Sequence, residues 1–205
     1  MVIVTFPGLQ PLDAVGPHEV FAGANRGLAA DQRYEIEVVA REPGPVAGES
    51  GLVLHAAGLG SADDIGTLVL AGGGGVLEAA RDEVLVAWIR RAAAEADRVA
   101  TVCSGTFLAG AAGLIDGRRV TTHWARADQL AERHPSAVVD PDPIYIRDGD
   151  LWTSAGVSAR PRARSAVRPK WRRPRPSRPH RTGTTVPRRH HARSAAFHSS
   201  CSLVG

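Results

Sequence analysis

The chain has 205 residues, 25 Lys and Arg against 21 Asp and Glu, and a formal net charge of +4. Residues 160–205 hold 13 of the 25 basic residues and none of the acidic ones, so the first 159 carry 12 basic and 21 acidic side chains, a balance of −9. The overall basicity averages two unlike segments, and it gives no ground for a nucleic-acid-binding fold in the first of them.

Strands and helices alternate through that first segment. Val2–Phe6 is short, β-branched and apolar, which suits a buried parallel strand. Pro7-Gly8 turns the chain, and Leu12–Pro17 leads into a helix containing Val20, Phe21 and Ala24. Tyr34–Ala40, Leu52–Ala56 and Thr67–Ala71 read as the next three strands, the last closed by Gly72–Gly75. A helix is expected over Arg81–Ala96, with Val84, Leu85, Trp88, Ile89 and Ala92 on one apolar face. Val99–Val102 is the next strand and Ser104–Ala112 the helix after it. Val120–Thr122, a short helix at Ala125–Arg133, and a hairpin pairing Pro143–Arg147 with Leu151–Thr153 across Asp148-Gly149 follow. This alternation predicts an α/β domain over residues 1–159, a three-layer α/β/α sandwich around a mostly parallel sheet.

After Ala159 the composition changes abruptly. Residues 160–205 are rich in Arg, Pro, Ser and His, with six prolines between Pro161 and Pro187 and few large aliphatics. Such a segment cannot bury enough apolar surface to offset chain entropy, so it is expected to be disordered.

Only Cys103 and Cys201 are available as thiols, with no CxxC or Cys/His spacing, so neither a disulfide framework nor a metal site is expected, and no cofactor. The N-terminus reads as a strand rather than a leader, and no run of about 18 apolar residues occurs; the expected location is cytoplasmic, away from membranes.

The chemistry centres on Ala100-Thr101-Val102-Cys103-Ser104-Gly105-Thr106. A strand–cysteine–helix turn of nucleophile-elbow type exposes the side chain at the carboxyl end of a parallel sheet, where open α/β folds bind ligands. A helix N-terminus there lowers the thiol pKa. The competing reading is a core cysteine. Gly72–Gly75 follows a strand, and the N–H groups of Gly73 and Gly74 could face a carbonyl or oxyanion. It is no dinucleotide fingerprint, since the third glycine would fall at Leu77 or Glu78. Asp13 is either an acid placed beside the thiol or a helix cap. His123 follows Thr121-Thr122, whereas His18, His55 and His134 sit in no cluster.

The run Leu12–Phe21, the Cys103 turn and Gly113–Trp124, in that order, resemble the ThiJ/PfpI superfamily with its class I glutamine amidotransferase-like, flavodoxin-like fold. Val139–Pro143 and Leu151–Val157 resemble the sensor domain of GlxA-type regulators of the AraC family more than the isocyanide hydratases, which share the Asp, Cys and Thr-Thr-His-Trp elements. Hydratases typically carry threonine after the cysteine, where this chain has Ser104, and PfpI-type peptidases carry histidine there.

That resemblance implies a domain that binds an unidentified small molecule over Cys103, with Gly73, Gly74, Ser104 and His123 around it, and that dimerises. Cys103 as nucleophile and Asp13 as acid/base are catalytic only if the chain is an enzyme, a cysteine-dependent hydratase or lyase. DNA would be bound only through a helix-turn-helix unit that this chain lacks. The regulators continue with a further helix at the point where the Arg-rich segment begins, so that segment is expected to be an out-of-frame product. Arg160–Val167 read one base later permits Asp-Leu-Ala-Leu-Ala-Leu-Leu. The rival is a genuine basic tail that contacts nucleic acid.

Overall fold

The computed structural model describes residues 1–156. The expected boundary at 159, the missing helix and the tail at 160–205 lie outside the described residues. In chain order the elements are β1 (Val2–Val4), α1 (Pro11–Ala24), β2 (Glu37–Val39), β3 (Gly44–Ala47), β4 (Val53–Ala56), β5 (Thr67–Leu70), α2 (Val76–Ala79), α3 (Glu83–Glu95), β6 (Arg98–Val102), α4 (Thr106–Ala111), β7 (Arg119–Val120), α5 (Ala127–Arg133), β8 (Val138–Val139), β9 (Tyr145–Asp148) and β10 (Leu151–Ser154).

Six strands form the main sheet in the order β2-β1-β5-β6-β10-β9. The first five are parallel, and β9 joins antiparallel to β10 through the expected Asp148-Gly149 turn, in which Gly149 takes φ +63°. All four residues of β5 are buried, so its continuous apolar run is covered on both faces. On β6 and β10 burial alternates: Val99, Thr101, Leu151 and Thr153 are buried, while Ala100, Val102, Trp152 and Ser154 are only half-buried. This is the flavodoxin-like α/β fold.

Three elements depart from expectation. The strand expected at Leu52–Ala56 forms no ladder with the main sheet; β4 pairs antiparallel with β3, and only the next residue, Ala57, makes a single parallel bridge to Val39 of β2. Val120 belongs to a second small sheet, in which β7 pairs with β8. Val84 is 52% exposed rather than part of the apolar face of α3, which buries Leu85, Trp88, Ile89, Ala92 and Ala93 instead. Asp82 caps α3 by accepting from the N–H groups of Val84 and Leu85 at 3.0 and 3.1 Å, which points Val84 outward on the first turn.

The sheet places the site. The chain leaves β1 for β2 on one side and returns to β5 on the other, so the strand order reverses between β1 and β5 while the strands stay parallel. Open α/β sheets leave a crevice outside the carboxyl ends at such a point. Pro7–Gln10, Gly72–Gly75 and Cys103 follow β1, β5 and β6 directly. Among the described residues no helix is long and apolar enough to cross a membrane.

Candidate ligand site at the Cys103 turn

Cys103 has φ +57°, in the left-handed region that a residue with a Cβ rarely adopts. Its strain is held by close packing and hydrogen bonding around the turn. The Cys103 carbonyl accepts from Thr122 Oγ1 at 3.0 Å. A Cβ on Gly105 would collide with the Leu70 carbonyl, and one on Gly156 would lie 2.6 Å from Cys103 Cβ. Only glycine fits at either position. The cysteine itself opens a 3-10 turn, Cys103–Gly105, and α4 begins only at Thr106. Behind the turn, Thr106 Oγ1 hydrogen-bonds Thr101 Oγ1 at 2.8 Å and donates to the Thr121 carbonyl at 2.9 Å.

Asp13 is fully buried although it stands in the first turn of α1. It does not cap that helix; the Gln10 side chain occupies the cap position. Instead Asp13 Oδ2 accepts the Gly72 N–H at 3.1 Å, and Oδ1 has no hydrogen-bond partner among the described residues. Burial pushes the Asp13 carboxyl up to about 6, partly opposed by the Gly72 N–H and by the neighbouring Cys103 thiol.

The glycine turn does not offer the free donors expected of it. Gly73 N–H donates to Ser104 Oγ at 2.9 Å, Gly74 N–H to Glu49 Oε2 at 2.8 Å, and Gly75 N–H to the Gly8 carbonyl at 3.0 Å. Ser104 Oγ also donates to the Gly73 carbonyl at 3.2 Å. With the Gly72 N–H held by Asp13, all four amides are engaged.

The expected lowering of the thiol pKa is likewise corrected. Burial and the nearby Asp13 carboxylate push Cys103 up to about 11, and the hydrogen bonds from Ser104 only partly offset them. A three-residue 3-10 turn followed by a six-residue helix supplies too little dipole to win.

Gly73, Gly74, Cys103, Ser104 and His123 all line one cleft of about 310 Å³, together with Gln10, Glu49 and Arg126. Asp13 lies beneath this cleft rather than on its wall. His123 caps its own turn, with Nδ1 accepting the Ala125 N–H at 3.2 Å. Its pKa is lowered by burial and by Arg126, so the ring is neutral. His18 and His55, unclustered in sequence, share a separate apolar depression with Val15, Val38 and Leu54. Among the described residues no group of three His, Cys, Asp or Glu could hold a metal.

Sequence reasoning missed Gln10, Glu49, Arg126 and Gly156. Glu49 arrives on the β3–β4 connection, with Gln10 Nε2 donating to its Oε1 at 2.9 Å, and no local pattern announces that return. Arg126 stands three residues after His123, a helical spacing that did carry a signal.

Comparison with known proteins gives the same picture. The chain is 42% identical over 139 residues to an uncharacterized protein in the cpoL 5′ region of Streptomyces lividans, covering 66% of this chain and 95% of that protein. It is 35% identical over 155 residues to isonitrile hydratase of Pseudomonas putida, covering 75% of this chain and 64% of the hydratase. To the HTH-type transcriptional regulator CdhR of Pseudomonas aeruginosa it is 30% identical over 153 residues, 75% of this chain and only 45% of the regulator. A crystal structure of a ThiJ/PfpI family protein from Pseudomonas syringae superposes with a TM-score of 0.67 at 33% identity, covering 78% of this chain and 63% of that one. Residues 1–167 match the family model for DJ-1/PfpI, so the chain, with its cysteine turn at the carboxyl edge of a parallel sheet, belongs to the DJ-1/PfpI family.

Proposed function

We propose that this domain is the ligand-sensing part of a GlxA-like transcriptional regulator of the AraC family, acting in the cytoplasm as a homodimer. DNA contact, on this reading, belongs to a helix-turn-helix unit outside residues 1–159. The relatives named as HTH-type regulators, CdhR and GlxA, are matched over only 45% and 40% of their length. The observation that carries the reading is the state of the thiol. Cys103 is held as a neutral thiol with its pKa pushed up to about 11, and the amides of the adjoining glycine turn are already engaged. A nucleophile needs its anion, and an acyl or imidoyl intermediate needs free donors. A pocket that only binds needs neither.

One observation favours the alternative, a cysteine-dependent hydratase resembling isonitrile hydratase. Asp13, with its carboxyl near 6 and Oδ1 unpartnered beside the thiol, is tuned as an acid/base for neutral pH. The two readings separate in one experiment. The purified chain is incubated with an isonitrile while formamide release is followed, and in parallel its thermal unfolding is scanned against a panel of small metabolites. Stabilisation by a metabolite without turnover supports the sensor. Turnover that vanishes in Cys103→Ala selects the hydratase. The nucleotide sequence from codon 150 onward tests the out-of-frame origin of residues 160–205, because a helix-turn-helix reading in another frame is its expected content.

A further inference from the structure

We propose that the Cys103 cleft recognises its ligand through a monoanionic group, a carboxylate, and that Arg126 is the residue that pairs with it. The proposal rests on the ligand-binding reading of the cleft and names the chemistry of what enters it.

Two side chains on the cleft wall carry permanent charge, Glu49 and Arg126. Glu49 is satisfied: Oε1 accepts from Gln10 Nε2 at 2.9 Å and Oε2 from Gly74 N–H at 2.8 Å. The Arg126 side chain is not. Most arginines among the described residues have a partner, as in Arg41 with Asp82, Arg118 with Asp150 and Arg119 with Asp140. Those without one, Arg26, Arg91, Arg98 and Arg133, are exposed, and water serves them. Arg126 differs in being half-buried, facing a cleft, and having no hydrogen bond or ion pair to its side chain among the described residues.

A guanidinium partly withdrawn from water without a counter-charge costs free energy that an anion would return. Its planar fork matches a carboxylate in two parallel hydrogen bonds. The charge of the ligand is bounded by the same wall. Glu49 on the rim and Asp13 beneath oppose a second negative charge, so one cation faces one anionic group and a dianionic phosphate fits poorly. A volume near 310 Å³ sets the ligand at the small end of known binding sites.

Cys103 lies in the same cleft and reports its charge. The full-length chain is alkylated with an equimolar mixture of iodoacetate and iodoacetamide, and both products are quantified at Cys103 and Cys201 by peptide mass spectrometry. Each reagent reacts by attack of the thiolate on its methylene carbon with loss of iodide, so the thiolate fraction cancels from the product ratio. The proposal expects the ratio of anionic to neutral product at Cys103 to fall about fivefold in Arg126→Gln, the effect of removing one nearby screened charge, while the ratio at Cys201, on its own Arg-rich segment, stays as in the parent. Arg126→Lys keeps most of the parent ratio at Cys103, and Glu49→Gln increases it. A ratio at Cys103 that ignores Arg126→Gln, a fall that is as large at Cys201, or no native-state reaction at Cys103 overturns the proposal. Failure of the sensing reading is seen separately, as turnover or as the absence of any stabilising metabolite, and leaves the measured ratio unchanged.

Discussion

The Ser104 hydroxyl holds both backbone polar groups of Gly73, accepting its N–H at 2.9 Å and donating to its carbonyl at 3.2 Å. This one side chain ties the turn after β5 to the turn after β6. Ser104→Ala leaves a buried N–H and a buried carbonyl unpaired, and is expected to cost about 1–3 kcal/mol in denaturant unfolding. It also frees the Gly73 amide toward the cleft. A variant as stable as the parent would show that water takes the place of the hydroxyl.

Asp13 makes stability depend on pH in a direction opposite to an ordinary paired carboxylate. Its folded value, about 6, lies above the ordinary 3.8, so the native state holds the proton more tightly than the unfolded one. The associated stability is full below about pH 3.8 and is lost as pH rises through about 6. Asp13→Asn, neutral and of the same shape, has no such loss. Parent and variant are expected to differ little near pH 4, with the variant gaining up to about 3 kcal/mol by pH 8. A variant less stable than the parent at pH 8 would mean that the buried charge is repaid by contacts the Gly72 bond does not explain.

Cys103 is expected to be the slower thiol. With its pKa near 11 against an ordinary 9.0, its thiolate fraction at pH 8 is about a hundredfold below that of a free cysteine. Iodoacetamide labelling of the native chain should modify Cys201 well before Cys103, and Cys103 should accelerate steeply above pH 10. Burial is the larger cause and the Asp13 charge the second, so Asp13→Asn accelerates Cys103 without erasing the difference. Faster labelling of Cys103 than of Cys201 at pH 7 would instead mark an activated nucleophile and favour the hydratase.

The threonines behind the turn form a chain in which each hydroxyl has a defined partner. Thr106→Val strands the Thr101 hydroxyl and the Thr121 carbonyl in a buried setting. The expected cost is about 1–3 kcal/mol, with a cleft less ordered on its Thr122 side. Gly105→Ala is expected to be worse, because backbone rather than a movable side chain meets the new methyl. Thermal unfolding of the two variants in parallel checks the ranking.

What the sequence made legible was the part governed by local pattern. β1, β5 and β6 were visible as short apolar runs, and the β9–β10 turn as Asp-Gly between two strands. The β3–β4 hairpin was not, because a strand's alternation says which face is buried and nothing about its partner. At the site, Cys103 and Ser104 were named from the turn itself, and Gly73, Gly74 and His123, which line the same cleft, from the glycine run and the Thr-Thr-His-Trp motif. Glu49 and Gln10 reach the cleft only through tertiary folding. The acidity of the thiol was misread for a related reason: the helix dipole is local and visible, whereas the burial that outweighs it, and the carboxylate that adds to it from ninety residues earlier in the chain, arise only from the fold.

Gly156 has a consequence for the cysteine turn. It stands two residues past the end of β10, so near Cys103 that no methyl group could be inserted between them. Neither residue can move toward the other without a clash. A molecule that displaces the cysteine turn on entering the cleft therefore pushes on the polypeptide at the point where it leaves the sheet. Such an arrangement needs no long relay through the core, since the cysteine turn and the chain just past β10 touch directly.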